Sequence, residues 1–377
     1  VSVAGSVSAG VALAAVLYAR TGSAAWVGAA LLITFATPVA ISPWAGALAD
    51  RLDRRRLLIA SDLCGAACFA AMAAVSDPAV LLALAFPAAI AAAPFLPASG
   101  ALVPSVVDAT RLNWANSRLA LARTIGQLVG PLIGGGLVAG LNGSAAFAIN
   151  SASFVASASL IATLPGSFRA SASPLPTSSS GGVVEGLALL VRVPALRALT
   201  LGFILVDIGN GLVLPAEVPL AHAFGTGSLG YGALVVAWGI GGVAGAPVSR
   251  AALDRWDEAV VITASAACLG AGFALTAVAP WFALALGGLA IAGGSMSIAA
   301  VGEDVLLQRR VADDVRGRVY AGHIAAVQAS LALPLVFAGF VINTLGAQAV
   351  YGIATVICGL GVIALTALLR SERSVRV

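Results

Sequence analysis

GALADRLDRRRLL, residues 46–58, sets six charged side chains into the seven positions from 50 to 56 of a 377-residue chain that is 60% hydrophobic and only 10% charged. The runs on either side, 25–48 and 57–76, are almost free of charge. Each is long enough to cross a hydrocarbon core of about 30 Å as a helix, which takes about 20 apolar residues. The stretch therefore reads as a loop between two membrane crossings, and the same alternation of apolar run and polar break recurs along the chain. A mean hydropathy of +1.02 excludes a soluble domain, whose surface would have to expose large apolar patches to water.

Breaks at Gly, Pro, Ser and charge clusters give crossings near 2–19, 25–48, 57–76, 79–106, 114–140, 144–164, 198–218, 229–249, 259–277, 281–306, 319–341 and 347–369. Lipid admits only helices and closed barrels, and these runs are too long and continuous for barrel strands. The expected fold is an all-α integral membrane protein of about twelve transmembrane helices. All 20 basic residues are arginine. They gather in alternate loops and the tail: Arg51, Arg54, Arg55 and Arg56; Arg111; Arg169, Arg192 and Arg197; Arg250 and Arg255; Arg309, Arg310, Arg316 and Arg318; Arg370, Arg373 and Arg376. The other loops hold only Arg20, while Arg118 and Arg123 lie near or inside the fifth crossing. Arginine marks the cytoplasmic side, so a multi-pass protein of the cell (plasma or inner) membrane with both termini cytoplasmic is expected. Against 16 acids the net charge is only +4, too small to suggest a nucleic-acid partner.

The polar stretch 166–197 divides the crossings into two sets of six. The expected organisation is a bundle over 1–165, a cytoplasmic linker over 166–197 and a second bundle over 198–377. Within the linker, VVEGLALLVRVPALR predicts a short amphipathic helix on the membrane surface. The chain opens inside its first apolar run without an initiator Met or a cleavable signal pattern, so its native N-terminus is expected to be missing or trimmed. Cys64, Cys68, Cys268 and Cys358 all fall in apolar runs and are expected to be reduced core residues.

The halves share an ordered series of matches. TGSAAWVGAALL at 21–32 aligns with TGSLGYGALVV at 226–236, Asp50-Arg51 aligns with Asp254-Arg255, and PLIGGG from Pro131 aligns with PLVFAG from Pro334. Six-helix halves repeated in one orientation are a transporter design, with the substrate bound between them near the midplane.

Gly46-x-Leu48-Ala49-Asp50-Arg51-x-x-Arg54-Arg55 resembles the loop signature of the major facilitator superfamily, and Gly126-x-x-x-Gly130-Pro131-x-x-Gly134-Gly135 matches the GxxxGPxxGG motif of its drug and proton antiporters at every defined position. The stretches 112–136, 147–165 and 306–322 are similar to its macrolide and siderophore exporters. The resemblance implies the major facilitator fold, alternating access, and export driven by proton antiport. It also implies a cytoplasmic gate in which Asp50, partnered by Arg54 and a helix N-terminus, holds the second helix against the eleventh. Arg51, Arg55, Asp254 and Arg255 belong to the same expected gate, and Gly46 lets the helices approach. Asp53 departs from the pattern, which has glycine there. So do Ser6, where relatives often carry an acid, and Ser99, where arginine is common.

A proton-driven pump needs an intramembrane acid that reaches the cavity. Asp207, central in the seventh crossing, is the candidate, with Asn210 on its face. It serves either as a coupling or cation-binding group or as a static hydrogen-bonded partner, with Arg123 as a candidate mate. Arg123 alternatively binds an anion or snorkels to the cytoplasm. Glu217 is placed with the same cavity group, although its position toward the outer end of the helix favours solvation. Glu303 and Asp304 are expected to join Arg309 and Arg310 in an inner gate, and His323 to be a packed, satisfied residue. The expected partners are a small-molecule substrate, protons and the lipid bilayer, the protein acting as a single copy. No Walker A pattern, metal-ligand spacing or soluble catalytic constellation appears, so neither a cofactor nor an enzyme activity is expected. An uptake permease and a non-transporting receptor or scaffold are the competing function classes.

Overall fold

The computed structural model describes residues 2–108, 111–166 and 180–370, and all regular structure among them is helical. The helices are α1 (Ser2–Thr21), α2 (Ala24–Arg51), α3 (Arg54–Ala73), α4 (Pro78–Ala92), α5 (Phe95–Val106), α6 (Leu112–Gly140), α7 (Gly143–Ala162), α8 (Ser180–Arg192), α9 (Pro194–Val213), α10 (Glu217–Ala223), α11 (Gly227–Leu253), α12 (Glu258–Ala277), α13 (Phe282–Arg310), α14 (Asp313–Leu345) and α15 (Ala347–Arg370). Twelve spans among the described residues are long and apolar enough to cross a membrane. The fourth is made of α4 and α5, broken at Pro94, and the seventh of α9 and α10, joined by a 3-10 turn at Leu214–Ala216. Linker residues 167–179 and the tail beyond Arg370, with Arg169, Arg373 and Arg376, lie outside the described residues.

The chain forms two compact units, Val1–Ser173 with Gly225–Val236, and Pro174–Phe224 with Ala237–Val377. In the first, α1 packs on α6 and α7, and α3 on α7. Leu13, Leu17, Met72, Leu81 and Phe147 form its buried apolar cluster. In the second, α12 packs on α13 and α15, and α9 on α14 and α15. Lipid tails are as apolar as leucine, so these interfaces depend on close van der Waals packing, which small residues allow.

The glycine-proline stretch of α6 illustrates this. Gly126, Gly130 and Gly134, four residues apart, lie along one face against Val3, Ala4, Val7 and Ser8 of α1. A Cβ at Gly134 would overlap the Ser8 backbone. Gly135 lies on a neighbouring face against the backbone at Ser228, in the first turn of α11, and Ser228 Oγ donates to the Gly135 carbonyl at 3.2 Å.

Asp53 has a clear role. It is the N-cap of α3, its carboxylate accepting from the Arg56 N–H at 3.0 Å. Asp257 caps α12 in the same way, accepting from Ala259 N–H at 2.8 Å. The two positions continue the register that aligns Asp50 with Asp254, so the acid belongs to the repeat. A side-chain acceptor at this place satisfies an N–H left free by the first helical turn.

Three expectations are corrected. Only Cys358 of the four cysteines is buried; Cys64 and Cys268 are exposed and Cys68 half-buried, because they fall on outward helix faces. The linker helix α8 is present, but it is docked on α14 and not simply laid on a surface: Glu185 pairs with Arg318 at 2.5 Å, and the backbones pass so closely at Gly186 and Gly322 that a Cβ on either would collide. Glu217 is buried, not solvated, with 5% of its surface exposed. The seventh span continues beyond Val213 into α10 and keeps it inside the packing.

The α1–α6 interface yields a contrast. Gly134→Val is expected to destabilise the protein by about 3 kcal/mol, the cost of overpacking a tight interface. Gly136→Ala, two residues away with nothing within 4 Å of the added Cβ, should be neutral or stabilising by up to about 1 kcal/mol. Thermal unfolding of the purified proteins in detergent measures both, and equal effects would contradict the packing face.

Candidate functional site

In the first unit, Gly46, Asp50 and Arg51 occupy the last turns of α2, and their side-chain placement falls outside the described residues. Arg54 is half-buried and Arg56 exposed. Arg55 reaches across to the end of α7, donating to the carbonyls of Ala162 and, at 3.3 Å, Gly166. A cation there satisfies the last carbonyl of α7, which has no partner within the helix, and meets the negative end of the helix dipole. Arg123 is half-buried on α6. Asp62 escaped the sequence reading: it lies on α3, 0% exposed, against Ser157 of α7, with neither oxygen in an aligned hydrogen bond. Its signal was an acid six residues inside an apolar run.

In the second unit, Asp254 and Arg255 are exposed in the turn after α11. The ionic contacts form one turn later, at the start of α12. Arg310 sits 3.0 and 2.8 Å from the Asp257 oxygens and 3.4 Å from Glu258, and Arg309 contacts Glu258 at 2.5 Å. These arginines were expected to hold Glu303 and Asp304. The capping acids of α12 bind them instead, because those lie beside the end of α13, whereas Glu303 is nearly two turns away along the same helix.

Glu303 and Asp304 face α14. Glu303 Oε1 lies 2.7 Å from His323 Nε2, and Asp304 accepts a hydrogen bond from the Tyr320 hydroxyl. His323 is 1% exposed. It is packed and partnered, as expected, but its partners include an acid. Its Nδ1 is 2.9 Å from Thr200 Oγ1 on α9, and Phe203 meets the ring edge-on at 5.8 Å between centroids. The Nε2 contact is close without being aligned as a hydrogen bond, so its attraction is chiefly electrostatic. Asp207 is 5% exposed on α9, one turn beyond Phe203 and two beyond Thr200, the α9 residues that hold the His323 ring. Cys358 of α15 is buried against α9 at Gly209, and Asn210, one turn beyond Asp207, is half-buried. Three helices thus meet at His323: α14 carries it, α13 brings Glu303 into contact with it, and α9 holds its ring through Thr200, two turns before Asp207.

The family model described as Major Facilitator Superfamily matches residues 1–206 and 199–376. The chain belongs to the major facilitator superfamily. It is a multi-pass membrane transporter, and the family implies a small-molecule substrate. The multidrug efflux pump Tap of Mycolicibacterium fortuitum is 30% identical over 81% of this chain and 78% of its own. The putative bacilysin exporter BacE of Bacillus subtilis is 24% identical over 89% and 84%. Among solved structures, a variant of the nucleoside transporter NupG superposes with a TM-score of 0.81 at 14% identity over 97% of each chain. A bacterial homologue of the iron transporter ferroportin superposes with a TM-score of 0.74 at 15% identity, over 99% of this chain and 96% of its own. At such identities these two superfamily structures speak for the fold alone.

The α12–α13 ion pairs give a ranked prediction. Arg310, with its side chain 17% exposed, serves two acids, and Arg310→Ala should destabilise by about 2 kcal/mol because it leaves partly buried carboxylates uncompensated. Arg309, 67% exposed, should cost less than about 1 kcal/mol on truncation. Detergent unfolding curves for the two alanine variants test the order; a larger loss at Arg309 would reverse the assignment.

Proposed function

We propose that this major facilitator transporter exports a hydrophobic or amphipathic small molecule, of the drug, antibiotic or siderophore-like kind, in exchange for protons. It acts as a single copy in the cell (inner) membrane, with its arginine-rich loops and both termini in the cytoplasm. The observation that carries the reading is Asp207, an acid inside the seventh span and shielded from solvent. An acid is kept in such a place at a cost in desolvation, which a coupling role repays. The complete GxxxGPxxGG match in α6 and the efflux pumps among the relatives support export over uptake. The repeat halves, 1–165 and 198–377, rock about the substrate in alternating access, with Asp50, Arg51, Arg54 and Arg55 forming the latch on the cytoplasmic side.

In this scheme Asp207 takes a proton when its face of the transporter opens outward and releases it when substrate is taken up from inside. Asn210 shares that face and contributes a neutral hydrogen-bonding group, and Glu217 is a second buried acid nearer the outer end. Arg123 on α6 supplies a fixed positive charge.

Everted membrane vesicles carrying an imposed proton gradient test the reading against a panel of antibiotics and siderophores. At least one compound should be pumped into the vesicles and dissipate the gradient. Asp207→Asn should lower this coupled transport at least about tenfold, about 1.4 kcal/mol or more in the driving step, while exchange of substrate down its own gradient persists. Gradient-driven movement in the opposite direction would make the protein an uptake permease, and unchanged coupling in Asp207→Asn would remove Asp207 from the mechanism.

A further inference from the structure

The cluster in the second unit reaches beyond Asp207. Depth follows from the helical rise of about 1.5 Å per residue, counted from the arginine-rich ends of α9, α13 and α14. On that count Asp207 lies roughly 20 Å in, His323 roughly 15 Å, and Glu303, Asp304 and Tyr320 roughly 10 Å. The titratable side chains therefore descend in order from the middle of the span toward the arginine-rich end: Glu303 touches His323, Tyr320 touches Asp304, and Thr200 and Phe203, on the α9 turns just before Asp207, hold the His323 ring. An acid at mid-membrane that must exchange protons with one aqueous face needs such an intermediate, because hydrocarbon offers none.

We propose that His323 and Glu303 form a second proton-carrying site, linked to Asp207 and set between it and the arginine-rich face. The inference rests on the proton-coupled reading above. The proton lost by Asp207 is taken up at Nε2 of the neutral imidazole, whose Nδ1–H stays donated to Thr200 Oγ1, and the ring becomes imidazolium beside the Glu303 carboxylate. Transfer from Nε2 to Oε1 then restores the neutral ring and leaves Glu303 as the acid, from which the proton leaves toward Asp304 and the aqueous end. Each step moves one proton and leaves the total charge of the three groups unchanged until the last. Thr200 is a positioning residue: by engaging Nδ1 it fixes the ring so that Nε2 is the nitrogen presented to Glu303.

Other charges on the packed elements have partners of their own. From α12, Asp257 and Glu258 hold Arg309 and Arg310, and from α8, Glu185 holds Arg318. Arg316 of α14 donates to the Val311 carbonyl, and among the described residues the titratable groups nearest the pair are Asp207, along α9 from Thr200, and the hydrogen-bonded Tyr320 and Asp304. A static polar plug would use the same contacts but would have no reason to respond to the charge on Asp207.

The test reads protons directly, without a substrate. The full-length protein, reconstituted in lipid, is titrated over pH while the carboxylic C=O infrared bands are followed. Two linked titrating bands are expected. Glu303→Gln should remove one and Asp207→Asn the other, each shifting the midpoint of the survivor by about one pH unit, as interacting sites do. Thr200→Val should move the midpoint of the Glu303 band and Thr200→Ser should restore it; a merely structural hydroxyl would give no such pattern. If Glu303→Gln fails to give a monodisperse protein, Glu303→Asp, which keeps the charge, should shift its band without abolishing it. A Glu303 band that is absent, or indifferent to Asp207→Asn, overturns the proposal. The vesicle assay fails separately: loss of proton-driven transport in the wild-type protein would sink the exporter reading whatever the titration shows.

Discussion

Charge has almost nowhere to go in this chain. A charged group in hydrocarbon costs several kcal/mol unless it reaches water or a partner, and that cost arranges much of what is seen. Arginines sit at helix ends, where they meet acids that cap the next helix or carbonyls left free at the end of another. Arg55 on the end of α7 and Arg310 on the cap of α12 are two solutions to one problem. The first meets a carbonyl that the helix leaves unsatisfied, the second the carboxylate that caps the next helix. The few acids that stay inside the spans are then conspicuous. Among the described residues, Asp62, Asp207, Glu217 and Glu303 are held at places where no arginine forms an ion pair with them.

The same solvent removes the usual driving force for helix association, so the backbone contacts at small residues carry more of the packing. The α1–α6 face and the α8–α14 crossing both rely on glycines whose Cβ would collide with a neighbouring backbone. The second crossing has a functional bearing. Gly322 precedes His323, so the docking of α8 fixes the stretch of α14 that carries the buried imidazole. A linker helix that reads as a surface amphipath thereby becomes part of the support of the polar cluster.

Much of the fold was legible because its signal is one-dimensional. Run length gives the crossings, and arginine spacing gives their breaks. Pro94 was harder to read, since four prolines fall within 79–106 and only the packing decides which of them divides the helix. The cap at Asp53 was open to inference from an acid preceding a helical run, but comparison with a family pattern made it look like a departure. The site was legible only in part. Helical periodicity tells which residues of one helix share a face, and it placed Asp207 and Asn210 together. It does not tell which helices meet. Glu303 was therefore assigned to arginines on its own helix when its partner lies on α14, 20 residues along the chain.

The internal repeat sharpens where function resides. Equivalent positions carry the caps, Asp53 and Asp257, and the intrahelical prolines, Pro131 and Pro334. Each of these two helices packs on the first long helix of its own half, α6 on α1 and α14 on α9. These shared features are architectural: they begin helices, bend them and bring them close. The register that aligns the prolines places Ala120 opposite His323, so the imidazole has no counterpart in the first half. A duplicated bundle needs its packing residues twice, but a proton site of the kind proposed only once. The acids and the histidine that depart from the repeat are therefore the residues whose presence packing alone does not explain, and in the second unit Glu303 and His323 meet.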